Sequence, residues 1–145
     1  MKAASFEDLK VWQDAREFVK SIYELTSSDN FRKDFGLKDQ IQRAAVSIMN
    51  NIAVPPRRDE RNNNKEFIKF LKYSKGSAGE VRSMLYVALD LDYISKNSFN
   101  INYELSIKII TQISNFIKYL RRYAIKGKLT KASSFIILFF QFFNL

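Results

Sequence analysis

The two prolines of this 145-residue chain stand side by side at Pro55-Pro56, and only four glycines accompany them. Proline removes a helix hydrogen bond and clashes with the preceding turn, so this sequence permits long helices on either side of one obligatory break. The apolar spacing shows how that freedom is used. Beyond Ser5, a candidate cap, Leu9, Trp12, Val19 and Tyr23 form one apolar row, with Val11, Ala15, Phe18, Ile22 and Leu25 forming a second beside it. Lys10, Gln13, Asp14, Glu17, Lys20, Ser21 and Glu24 fall on the opposite side. This 3.6-residue period predicts an amphipathic helix to about Thr26 with a wide buried stripe.

Three further helices follow by the same reasoning. The second runs from Leu37 to about Ala53, with Leu37, Ile41, Ala44, Ala45, Ile48 and Ile52 inward, and its small Ala44, Ala45 and Ser47 let a neighbour approach closely. The third, capped by Asn64 and running to about Asp90, buries Phe67, Leu71, Ser74, Ala78, Val81, Leu85 and Ala88. Gly76 and Gly79 lie inside it, each costing about 1 kcal/mol relative to Ala, which predicts that Gly76-Ser77-Ala78-Gly79 nests against the Ala-rich second helix. The fourth spans about Ser98 to Ala124, with Ile101, Leu105, Ile109, Ile113, Phe116 and Leu120 as its inward row. Four helices of similar length on short links predict an all-α, antiparallel up-down-up-down four-helix bundle over residues 1–126. The size suits one cooperative domain. Residues 127–145 form a basic, then Phe-rich tail; its apolar run is shorter than the roughly 20 residues a bilayer requires, so no membrane span is predicted.

The chain has no Cys and no His. Thiol nucleophiles, disulfides, imidazole bases and the common zinc sites are thereby excluded. Glu80 and Glu104 cannot complete the Glu-x-x-His pattern of di-iron bundles, and Gly76-Ser77-Ala78-Gly79 lacks the Gly-Lys-Ser/Thr ending of a phosphate loop. The chain reads as non-enzymatic, with no cofactor and no metal. Met1 to Phe6 leads into charged sequence without a secretory apolar core, so a cytoplasmic location is expected.

A net charge of +9 makes a polyanion the first partner to consider. Lys65, Lys69, Lys72 and Lys75 project along one face of the third helix, with Arg82 further along and Arg57, Arg58 and Arg61 in the preceding connection. Lys118, Arg121, Arg122 and Lys126, followed by Lys128 and Lys131, form a second basic run without an interleaved acid. Both are candidate phosphate-contacting surfaces, most simply for RNA; the plainer reading is a solvated outer face, and in the second run partly a complement to the helix dipole. Gln40, Arg43, Ser47 and Asn51 make a polar stripe better suited to hydrogen bonding between helices or subunits than to recognition. Trp12, Phe67, Phe70 and Tyr73 have the chemistry to stack on bases but stand at core spacing.

Several ordered blocks also resemble a known family. Phe6-Glu7-Asp8-Leu9-Lys10-Val11-Trp12-Gln13, Gln40 to Ile48 with Asn51-Ile52-Ala53, Lys65-Glu66-Phe67 through Gly76-Ser77-Ala78-Gly79-Glu80, and Leu89 to Ile94 resemble the four-helix-bundle proteins encoded in intervening sequences of bacterial 23S rRNA genes. The resemblance extends over about Phe6 to Tyr123. It implies a ring-shaped homopentamer, and kinship with the accessory variability proteins of diversity-generating retroelements, which bind nucleic acid and a reverse transcriptase. It brings no catalytic residues. The expected function is a non-catalytic, oligomeric RNA-binding protein, with a protein-protein adaptor that docks an acidic enzyme or a reverse transcriptase as the alternative.

Overall fold

The computed structural model describes residues 5–54 and 63–125. Four α-helices follow one another: α1 (Lys10–Leu25), α2 (Phe35–Ile52), α3 (Asn63–Asp90) and α4 (Lys96–Ile125). Ser5 opens a 3-10 turn, Phe6–Asp8, rather than α1 itself. Its N–H donates to Asp8 Oδ2 at 3.3 Å, and extended backbone at Leu9 separates that turn from the helix. The other ends have local causes. Asp34 caps α2 by accepting from the Leu37 N–H at 3.0 Å. α2 stops at Ile52, before the Pro55-Pro56 pair, which lies outside the described residues. α3 ends where Asp92 takes φ 55 and the Tyr93 N–H reaches back to the Ala88 carbonyl at 2.9 Å. This is a left-handed helix stop of the kind usually supplied by glycine or asparagine.

Each helix packs on its neighbours in sequence, and α1 closes the cycle on α4. Paired side chains show the antiparallel order. Ser21 near the end of α1 meets Asn102 near the start of α4, and Phe67 at the start of α3 meets Phe116 late in α4. The chain is therefore an all-α four-helix bundle, with no strand among the described residues. Its core is formed by Phe18 and Ile22 of α1, Ile41 and Ile48 of α2, Leu71 and Leu85 of α3, and Ile109, Ile113 and Leu120 of α4, all at or near zero exposure. Phe31, from a short 3-10 turn between α1 and α2, closes one end against the Tyr93 ring at 5.5 Å.

The α2–α3 contact joins small faces, as expected from sequence. Ser74 Oγ donates to the Ile48 carbonyl at 2.8 Å, Ser47 and Ser77 hydroxyls lie 2.9 Å apart, and Ala44, Ala45 and Ala78 are buried between them. The glycines are not part of this nest. A Cβ on Gly76 or Gly79 would meet nothing within 4 Å, so the close approach comes from the serines and alanines.

The register of α4 differs from expectation in its first half. Ile101 is 52 % exposed and Leu105 only partly buried, while Phe99, Asn102 and Ser106 face inward. Asn102 is held there by two partners: its Oδ1 accepts from Ser21 Oγ at 2.8 Å and its Nδ2 donates to the Ser98 carbonyl at 2.9 Å. A buried amide is tolerated when its polar atoms are paired, which is what admits Asn102 to the core.

Candidate nucleic-acid interface

Burial of Phe67, Leu71, Ser74 and Ala78 dictates what the other side of α3 presents, because residues off that row turn outward. Lys65, Lys69, Lys72 and Lys75 are all exposed, over about 15 Å of helix. None of the four is ion-paired among the described residues, and Lys69 Nζ rests 5.8 Å from the Tyr73 ring centroid. From Asn63 to Gly79 the only carboxylate on the helix is Glu66. Positive charge on this stretch is therefore available to an external anion.

The second basic group meets the first through the tertiary fold. The Phe67 and Phe116 rings pack edge to face at 5.4 Å, which sets the start of α3 beside the end of α4. Lys118, Arg121 and Arg122 follow directly after Phe116, all exposed, and α4 carries no carboxylate from Leu105 to Ile125. Lys65 and Lys69 thus lie level with Lys118, Arg121 and Arg122 at one end of two adjacent antiparallel helices, and Lys72 and Lys75 continue the basic row toward the middle of α3. The other four predicted contact residues, Arg57, Arg58, Arg61 and Lys126, lie outside the described residues.

Lys108 is unavailable to this surface because it is engaged by Asp14, a residue expected to face solvent and found only 9 % exposed. Asp14 Oδ1 accepts from Lys10 Nζ at 2.7 Å, and Oδ2 accepts from Gln112 Nε2 at 2.7 Å with Lys108 Nζ 3.0 Å away. Burial alone would raise its carboxyl pKa, but the hydrogen bonds from Lys10, Gln112 and Lys108 and the Lys108 charge outweigh that effect and lower it below the ordinary 3.8. This cluster ties α1 to α4. The α2 polar stripe divides likewise: Asn51 Nδ2 donates to the Ser47 carbonyl at 2.8 Å, Ser47 bridges to Ser77, and Arg43 pairs with Asp39 on the outside. Among the described residues no group of three or more Asp or Glu side chains is placed to hold a metal ion. No described helix is long and apolar enough to cross a membrane.

The stacking candidates divide. Phe67 is buried and Trp12 packs partly against the core beside Phe6, whereas Phe70 is partly exposed outside the core and meets the half-exposed Tyr73 edge to face at 6.1 Å. The aromatic cluster that sequence reasoning missed is Tyr86, Phe99 and Tyr103, which lie together between α3 and α4 with Arg82 and Lys96 beside them. Their sequence signal is the one-turn spacing of Arg82 and Tyr86, and of Phe99 and Tyr103. The expected inward row at Ile101 and Leu105 concealed it.

An antiparallel four-helix bundle with exposed basic residues on α3 and α4 defines the class: a small all-α protein with a basic outer face. The chain belongs to the 23S rRNA-intervening sequence protein family, whose sequence model matches residues 7–115. It is also similar to a crystal structure from Bacteroides thetaiotaomicron, described as a protein with unknown function from the S23 ribosomal protein family. The two share 25% identity at a TM-score of 0.65, over 74% of this chain and 95% of that one. Comparison with curated proteins gives no match. Neither the family nor this neighbour indicates a catalytic activity.

Proposed function

We propose that the protein is a non-catalytic, cytoplasmic RNA-binding protein that holds phosphates on the basic end of α3 and α4 and works as an oligomer, the homopentamer implied by its family resemblance. One observation carries this reading: Lys65, Lys69, Lys72, Lys75, Lys118, Arg121 and Arg122 are exposed and free of ion pairs among the described residues, and the Phe67–Phe116 contact sets the start of the α3 row beside the basic end of α4. Such a surface gains affinity by releasing counterions from phosphates and reads little sequence. A ring would repeat the patch and multiply its avidity. Large apolar side chains outside the core, Phe35 at 75 % and Ile101 at 52 % exposure, support self-association.

Charge reversal tests it. Replacing Lys65, Lys69 and Lys72 together with Glu weakens binding to unrelated RNA sequences alike and flattens the dependence of log affinity on log salt, with helicity kept because Lys and Glu have similar helix propensity. Unchanged binding and an unchanged salt slope remove α3 from the interface. If the parent protein binds no RNA but retains an acidic protein partner such as a reverse transcriptase, the adaptor reading replaces this one.

A further inference from the structure

The flank of α3 that carries Lys75 continues seven residues on to Arg82 and one turn further to Tyr86, about 16 Å along the helix. Across the seam, the flank of α4 that carries Arg121 returns at four- and seven-residue steps through Ile117 and Ile110 to Tyr103. At the far end of this seam three rings meet. Tyr86 packs edge-on against Phe99 at 4.9 Å and against Tyr103 at 6.1 Å, and Phe99 and Tyr103 stack at 5.6 Å with planes 27° apart. Phe99 is buried and anchors the cluster, whereas Tyr86 is 49 % exposed. Two cations flank the rings: Arg82 Cζ lies 5.6 Å from the Tyr103 centroid and Lys96 Nζ 4.8 Å from that of Phe99. Neither has a carboxylate partner among the described residues.

A ligand complementary to this cluster offers a flat apolar face to the exposed Tyr86 ring and negative charge to Arg82 and Lys96, while Tyr103, already stacked on Phe99 with Arg82 over its ring, supports Tyr86. A nucleotide in a single strand offers both. In a duplex the bases are stacked on one another, so their faces are not available to protein rings. We propose that Tyr86, supported by Tyr103 and flanked by Arg82 and Lys96, forms a stacking site for unpaired bases of single-stranded RNA, continuous with the phosphate-holding residues Lys75 and Lys72. This rests on the RNA-binding reading above and deepens it: the basic end holds the backbone of any RNA, and the aromatic end selects strands whose bases are free.

The test compares a single-stranded oligouridine with a duplex RNA of equal length, by fluorescence anisotropy on the full-length protein. Tyr86→Ala lowers affinity for the single strand about 5- to 150-fold, the range of one lost base stack, and leaves duplex affinity and salt slope as in the parent. Tyr86→Trp retains binding, and its added indole emission is quenched by the oligouridine, which keeps the proposal testable should the alanine variant fold poorly. The Lys65, Lys69, Lys72 charge reversal weakens both RNAs. If that reversal acts as stated while Tyr86→Ala leaves single-strand affinity intact, the stacking site is overturned and the phosphate surface stands. Three other results overturn it as well, by making the cluster a general or subunit contact: equal loss on both RNAs, added indole emission in Tyr86→Trp that the oligouridine leaves unquenched, or a change of oligomer size on Tyr86→Ala. A parent protein that binds neither RNA overturns both readings.

Discussion

At Asp14 a carboxylate only 9 % exposed is held by two lysines and a glutamine, and the arrangement makes a pH-dependent link between α1 and α4. Its pKa is lowered in the folded protein, so its contribution is complete above the ordinary value of 3.8 and is lost as pH falls through the lower folded value. Asp14→Ala should cost about 2 kcal/mol in urea denaturation at pH 7, the scale of hydrogen bonds to a charged group. The gap between variant and parent should narrow as pH is taken below 3.8. A gap that stays constant at still lower pH would assign the loss to packing. Asp14 was not legible as a buried residue, because its partners Lys108 and Gln112 lie more than ninety positions away and no local pattern announces them.

Among the elements, α3 shows a local cost that no contact within the described chain offsets. Gly76 and Gly79 weaken a helix interior, yet a methyl group at either position would touch nothing. Gly76→Ala and Gly79→Ala should therefore each raise stability by about 0.5–1 kcal/mol, measured by chemical denaturation. If the double variant instead lowers stability together with oligomer size, the glycines serve a contact between copies. The core rows of α2 and α3 and the Val11, Ala15, Phe18, Ile22 row of α1 were readable because Ile, Leu, Phe and Ala recur there at helical spacing, whereas the other α1 row is only partly buried and Tyr23, expected within it, is 46 % exposed. The first half of α4 was not readable, since Asn102 and Ser106 take the inward positions that hydrophobicity alone assigns to Ile101 and Leu105.

At the scale of the whole molecule, the buried core of the described residues runs from Leu9 to Leu120 and draws on all four helices. Deleting residues 132–145, the Phe-rich stretch outside the described residues, should leave helical circular dichroism and a cooperative melt in place. Loss of the cooperative transition would show that this stretch supplies part of the core. Light scattering on the full and shortened chains in parallel reports whether the stretch also sets the number of subunits.

The sequence by itself determined the helices, their order, the exclusion of thiol and imidazole chemistry, and two separate basic runs, because periodicity, breakers and composition are local properties. Only the tertiary structure decided that the row beginning at Lys65 starts beside Lys118 to Arg122, that Asp14 is a cross-helix tether, and that Tyr86 joins Phe99 and Tyr103. Each of these depends on how antiparallel helices are rotated and shifted against one another. That rotation is set by side-chain packing between residues far apart in the chain, and a one-helix pattern contains no record of it.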